Sequence, residues 1–181
     1  RAMALAPQSS EVLGYVGCAL SDLGHHERGI PIIERAIELN PSNSQAFAAL
    51  GAAKVVSGQL EEGADDLRHA LRISPADPGL APWATVLSVC QSYLGRAEEA
   101  EEWARKACRA DPRFFGGLLA LAMAQAGMGR MEDAQASLNG ARQLNPELSA
   151  ETASALVGKA GWQALVDAGF SVPMYSATAR R

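Results

Sequence analysis

Prolines return at a nearly constant interval along this chain, and that interval constrains its fold more than any other feature. Pro7, Pro41, Pro75, Pro112 and Pro146 stand 34, 34, 37 and 34 residues apart. A glycine lies 17 residues before each of the last four prolines, at Gly24, Gly58, Gly95 and Gly129. Such a period predicts one two-helix unit, repeated and stacked along the chain. The glycine is expected to end the first helix in a left-handed conformation, and the proline ends the second.

Small side chains recur at two places where paired helices must cross. They are Gly17, Gly51, Ser88 and Ala122 in the first helices, and Gly29, Gly63, Ala100 and Ala134 in the second. A further column, Ala36, Ala70, Ala107 and Ala141, is expected to contact the following unit. Larger apolar residues fill the positions between these columns. The pattern predicts closely approaching backbones within each pair.

Composition agrees with an all-α fold and excludes several functions. Alanine, the strongest helix former, occurs 35 times, whereas aromatic residues make up 6% of the chain. A net charge of −4 offers no basic field for nucleic acid. We find no membrane-spanning run and no signal segment. Three scattered cysteines suggest a reducing compartment, and the cytoplasm is predicted.

These columns resemble the tetratricopeptide (TPR) repeat, and four copies cover about residues 10 to 146. The predicted units are 10–43, 44–77, 81–114 and 115–146, while residues 1–9 resemble the tail of an earlier copy. The resemblance implies a right-handed superhelical α-solenoid that serves protein–protein interaction. Because the sequence opens on arginine rather than methionine, we interpret it as a piece of a longer polypeptide.

Two segments depart from the repeat. Three prolines between Ser74 and Pro82 predict a stiff linker, with the third unit starting near Ala81 or, alternatively, at Pro78 with a kink at Pro82. After Pro146, residues 147–170 are predicted to form capping helices that start near Ser149, are interrupted at Gly158 and Gly161, and end at Gly169. Residues 171–181 are predicted to be a flexible tail.

The resemblance places binding on the first helices, which line the inside of a TPR superhelix. We call the positions 13, 10, 6 and 3 residues before each turn glycine the inner stripe. Together with Tyr93, it supplies a predicted apolar partner-binding groove whose residues are Glu11, Gly14, Cys18, Gln45, Ala48, Ala52, Val55, Thr85, Val89, Tyr93, Leu119 and Met123. A partner helix or peptide is expected there. The chain's own C-terminal helix, or a second copy, could cover the same face.

Charge on the stripe argues against one known TPR role. TPR domains that clamp the acidic tails of chaperones use lysine, arginine and asparagine on this face, and the stripe carries none of them. A carboxylate clamp is therefore not predicted. Two rival functions stay open: a regulatory or sensory arm, since the last ~70 residues loosely resemble C-terminal TPR regions of bacterial class III nucleotide cyclases and winged-helix regulators, and self-association through Leu5, Leu13 and Val16.

Catalysis finds little support in the residues available. Cys18 stands seven residues before His25, and His26 follows, so a nucleophile and base can be imagined. No carboxylate in an evident position would orient the base. The cysteines and histidines also lack paired metal-ligand spacing. We predict no enzyme activity, no metal and no cofactor.

Overall fold

The computed structural model describes residues 8–167 and residue 169. Within that part all regular secondary structure is α-helical, turns connect the helices, and there is no strand. Nine helices follow one another: α1 Ser10–Asp22, α2 His26–Leu39, α3 Ser44–Val56, α4 Leu60–Ile73, α5 Leu80–Tyr93, α6 Ala97–Ala110, α7 Phe115–Gly127, α8 Met131–Leu144 and α9 Ala150–Asp167. The expected all-α class and the helix pairs are confirmed. Residues 1–7 of the predicted N-terminal tail 1–9, and all of the predicted tail 171–181, lie outside the described residues.

The helix breakers act as the sequence predicts. The four turn glycines have φ between 74° and 89°, a left-handed conformation that strains any residue with a Cβ. Each second helix stops two residues before its proline, as α2 does at Leu39 before Pro41. The third pair begins at Leu80, within one residue of the predicted Ala81, so the alternative start at Pro78 is wrong.

The chain forms two compact units that divide within α5. Unit 1 comprises residues 1–83 and unit 2 comprises residues 84–181. In unit 1, α1 and α2 pack against each other and against α3, and α3 packs against α4. In unit 2, α6 and α8 each pack on α7, and α9 also contacts α7. No helix in residues 8–167 is long and apolar enough to cross a bilayer.

Helix crossings depend on the small residues of the two columns. A Cβ added at Gly51 would lie 2.7 Å from the carbonyl oxygen of Gly63, and one added at Gly63 would lie 2.8 Å from that of Gly51. In unit 2 the equivalent of Gly51 is Ser88, whose hydroxyl donates a 2.7 Å hydrogen bond to the carbonyl of Ala100. The expected close approach is confirmed. The third column is fully buried, at Ala36, Ala70, Ala107 and Ala141.

Polar side chains four residues before the turn glycine join the two helices of a repeat. Lys54 forms a 2.7 Å ion pair with Asp66. One repeat later, Gln91 donates to Glu99, and in the last repeat Gln125 accepts a 2.7 Å hydrogen bond from Ser137. Each of these side chains thereby gains a partner across the helix pair, as polar groups between packed helices require, although the amide oxygen of Gln91 accepts no hydrogen bond among the described residues.

Candidate functional site

The inner stripe differs between the two units in how much of it reaches solvent. In unit 1, Glu11 and Gln45 are exposed and Cys18, Ala52 and Val55 are half-buried, while Gly14 and Ala48 are buried. In unit 2, Thr85, Val89, Leu119 and Met123 are all buried, and Tyr93 is 37% exposed.

Helix α9 covers the stripe of unit 2. Val89, Leu119 and Met123 share one apolar cluster with residues of α9 and the turn before it. The α9 contributors to that cluster are Ala153, Val157, Trp162 and Leu165, each less than 9% exposed. In unit 2, therefore, stripe residues pack in one cluster with the chain's own C-terminal helix.

Tyr93 fixes α9 at the point where that helix is broken. Gly158 has φ 74° and ψ 158°, which interrupts the helical hydrogen bonds. The Tyr93 hydroxyl donates a 2.6 Å hydrogen bond to the carbonyl oxygen of Val157 and accepts a 3.1 Å bond from the N–H of Gly161. One side chain thus satisfies an acceptor before the break and a donor after it, both of which would otherwise be unpaired helix-end groups.

The two glycines of α9 serve different purposes. Gly158 breaks the helix as predicted, but the predicted interruption at Gly161 is wrong because the backbone there is helical. A Cβ at Gly161 would lie 2.8 Å from Met123 Cε and 2.9 Å from Met123 Sδ. Gly161 is small because the Met123 side chain occupies the adjoining space.

A cavity of about 400 Å³ lies beside the second half of α9. Ser92 and Met123 of the inner stripe line it, together with Met131 of α8 and Ala164 and Leu165 of α9. The Ser92 hydroxyl is buried and has no hydrogen-bond partner among the described residues. The cavity belongs to the same face that α9 covers.

Two further ionisable residues, Cys18 and Glu101, have shifted pKa values. Burial, followed by the nearby charge of Asp22, raises the pKa of the Cys18 thiol, which keeps it protonated and weakly nucleophilic at neutral pH. Within residues 8–167, no group of three or more potential metal ligands occurs. Glu101 forms an ion pair with Arg105, four residues later on α6, at 2.6 Å, and Arg130 adds a second ion pair to Glu101 at 2.7 Å.

Two features of the structure were not anticipated from the sequence. Asn43 caps α3 and also donates a 2.7 Å hydrogen bond to Ser10, whose hydroxyl donates to the carbonyl of Ala36. This network joins α1, α2 and α3. The second feature is the pair of hydrogen bonds from Tyr93 to the backbone of α9. The sequence signal for it is the position of this tyrosine, two residues before a turn glycine and beside the stripe.

Comparison with known proteins bears out the repeat. Tetratricopeptide repeat family models match residues 17–78 and 85–114, together about half of the chain. No curated protein matches the sequence significantly.

Solved structures show the same fold at low sequence identity. TTC0263, a thermophilic TPR protein of Thermus thermophilus, superposes with a TM-score of 0.71 at 23% identity over 89% of this chain and 84% of its own. A crystal structure of MamA superposes with a TM-score of 0.68 at 19% identity, over 80% of this chain and 83% of its own. MamA from residue 41 onward, from Desulfovibrio magneticus RS-1, gives 0.67 at 20% identity, covering 78% of each chain. This chain therefore belongs to the tetratricopeptide repeat family, whose members serve as scaffolds for protein–protein interaction.

Proposed function

We propose that this protein is a non-catalytic interaction module that binds a partner helix or peptide on the inner stripe of unit 1. The observation that supports the proposal is the seating of α9 on the equivalent stripe of unit 2. There, a helix of this very chain buries Val157, Trp162 and Leu165 in one apolar cluster with the stripe residues Val89, Leu119 and Met123. A stripe with the same place in the repeat has the geometry to take a helix from another protein.

Size complementarity favours an occupant with larger side chains in unit 1. Six residues before the turn glycine, unit 2 has Val89 and Met123, and unit 1 has Cys18 and Ala52. Because protein interfaces pack to interior density, the smaller residues of unit 1 leave room that a partner must fill. Leucine or phenylalanine side chains on the partner meet that requirement.

Exposed apolar residues support the same location. Val56, two residues before its turn glycine, is 71% exposed, and Tyr15 on α1 is 60% exposed. At ~25 cal/mol for each Å² of apolar surface removed from water, a few such contacts support micromolar binding after ordering losses. Among the described residues Cys18, Cys90 and Cys108 form no disulfide, which supports a reducing location such as the cytoplasm.

Selected peptides test the proposal directly. Peptides of ~16 residues with helical patterning are selected from a phage-displayed library on the intact protein, and their affinities are measured by fluorescence polarisation. We expect Ala52→Glu to weaken the selected peptides at least tenfold, because the substitution places a charge in an apolar contact. The matched control is Ala136→Glu at an exposed position of α8, which should leave binding unchanged.

Circular dichroism verifies that both variants retain their helices. Equal affinity for wild type and Ala52→Glu would remove binding from the unit 1 stripe. A selected peptide that binds only after α9 is released would place the site on unit 2 instead.

A further inference from the structure

Unit 1 is the more acidic half of the molecule. Residues 8–83 carry ten acidic and five basic side chains, a net charge of −5. Residues 84–167 carry ten acidic and eight basic side chains, a net charge of −2. The imbalance lies on the unit whose inner stripe is partly exposed.

Helix α1, the first helix of the first repeat, shows the same bias. Helix α1 contains two acidic residues, Glu11 and Asp22, and no basic residue. Both are exposed. Hydrogen bonds from its own backbone N–H and from the Ser9 hydroxyl lower the pKa of Glu11, so that carboxylate is charged at neutral pH. The basic residue of α3, Lys54, is already neutralised by Asp66 at 2.7 Å.

Asp22 has the same position in its repeat as Tyr93, the residue that binds the backbone of α9 in unit 2. Asp22 precedes Gly24 by two residues, as Tyr93 precedes Gly95. Tyr93 contacts the backbone of α9 through both of its hydroxyl hydrogen bonds. A helix seated on unit 1 in the same manner would meet a carboxylate at that point instead of a phenol.

We propose that the inner stripe of unit 1 selects a cationic amphipathic helix, with bulky apolar side chains on one face and lysine or arginine beside them. The inference rests on the proposed function and names the chemistry of its partner. Glu11 and Asp22 stand about three helical turns apart on α1, so they attract basic residues near both ends of a bound helix. The small residues between them, including Cys18, accept its apolar side chains.

Attraction of this kind has a defined signature. Exposed charges that act over several ångströms are screened by salt, so affinity for a basic helix falls as ionic strength rises. Complementary charge also speeds association more than it slows dissociation. An acidic helix with the same apolar face meets repulsion on the same surface.

The test uses two synthetic 16-residue amphipathic helices that share one leucine and phenylalanine face. The polar positions are all lysine in one peptide and all glutamate in the other. Fluorescence polarisation at 50 mM and 300 mM salt measures both on the intact protein. At 50 mM salt we expect the lysine peptide to bind at least tenfold more tightly than the glutamate peptide. At 300 mM salt most of that difference in affinity should disappear.

Charge variants locate the effect. Glu11→Gln with Asp22→Asn should weaken the lysine peptide three- to tenfold at low salt and flatten its salt dependence. Glu27→Gln with Glu34→Gln, at exposed positions of α2, changes the net charge equally and should leave the affinity within twofold of wild type. Equal weakening by both double variants would reduce the effect to net charge and overturn the assigned site.

Neutral blocking variants separate the two levels of the proposal. Ala52→Phe fills the stripe without adding charge, and Cys18→Leu does so from the neighbouring helix. If either folded variant blocks both peptides but wild type does not prefer the lysine peptide, the cationic partner is excluded and the proposed function stands. If neither variant weakens any peptide, the proposed function itself fails.

Discussion

The two units present the same repeat positions in opposite conditions. In unit 2 the inner stripe is large and covered: Leu119 is fully buried and Met123 is 9% exposed, beneath α9. In unit 1 the stripe is small and partly exposed, with Cys18 and Ala52 half-buried. The difference shows that the repeat fixes where a face lies, whereas the side chains on it determine what can cover it.

The largest expected effect comes from removing the anchor of α9. Trp162→Ala deletes a side chain that is 8% exposed in the apolar cluster of unit 2. Loss of a buried tryptophan costs about 3–5 kcal/mol of unfolding free energy. We expect a lower thermal midpoint by circular dichroism and faster hydrogen exchange in α9, with α1 to α4 unaffected. Unchanged exchange in α9 would show that Trp162 does not hold it.

A substitution at the break in α9 is expected to cost less unfolding free energy than Trp162→Ala. Gly158→Ala forces a Cβ into a left-handed backbone and against the Tyr93 hydroxyl. Strain of this kind costs about 1–3 kcal/mol. Gly127→Ala is the matched control, because a Cβ there meets Ala97 Cβ at 3.6 Å, an ordinary contact. Chemical denaturation of both variants should show the loss at Gly158 alone.

Tyr93→Phe isolates the hydrogen bonds from the packing. The substitution keeps the ring but leaves the Val157 carbonyl and the Gly161 N–H without their partner. An unsatisfied buried group costs about 1–3 kcal/mol. We expect faster exchange of the Gly161 amide by NMR, whereas Tyr15→Phe, at a 60% exposed position, should leave it unchanged. Equal exchange in both variants would contradict the bridging role of Tyr93.

The smallest expected effect is a pH dependence of stability that arises from Glu101 in unit 2. A hydrogen bond from Arg130, with a second from Arg105, lowers the pKa of Glu101 below its usual value of 4.5. The folded state therefore gains stability above the unfolded pKa, and loses it as pH falls through the folded pKa. Glu101→Gln should reduce the slope of the thermal midpoint between about pH 5 and pH 3 relative to Glu132→Gln. Equal slopes for the two variants would show that the Arg130 pair contributes nothing.

Periodic features of the fold were predictable because they depend on local chemistry. A glycine such as Gly24 ends a helix through its own backbone freedom, and a proline such as Pro41 stops one by lacking an N–H. The crossing of α3 and α4 followed from two absent side chains, at Gly51 and Gly63. Each of these signals lies within one repeat.

The state of the inner stripe was not predictable because it depends on contacts between distant segments. Tyr93 and Gly161 are 68 residues apart, and nothing in the repeat frame pairs them. The sequence predicts a groove at the stripe positions of unit 2, whereas in the structure these positions are buried and pack with α9. The sequence alone predicts that Gly161 breaks a helix. The reason for glycine there is the close contact with the Met123 side chain, which only the structure reveals.

Self-association and the regulatory role both stay predictions. Of the three residues expected at a self-associating edge, Leu13 is buried and Val16 half-buried, while Leu5 lies outside the described residues. Light scattering over a concentration series would reveal a concentration-dependent mass if such an edge is used. A strictly monomeric mass at every concentration would remove that function.

Thiol labelling at equivalent positions of the two stripes tests the contrast most directly. In a background of Cys18→Ser, Cys90→Ala and Cys108→Ser, single cysteines are introduced by Ala52→Cys in unit 1 and by Met123→Cys in unit 2. We predict that maleimide modifies the cysteine of Ala52→Cys at least tenfold faster, and that adding Trp162→Ala removes most of the difference. Equal rates in the two single-cysteine proteins, or faster modification in Met123→Cys, would contradict the claim that α9 covers the stripe of unit 2 while the stripe of unit 1 is open.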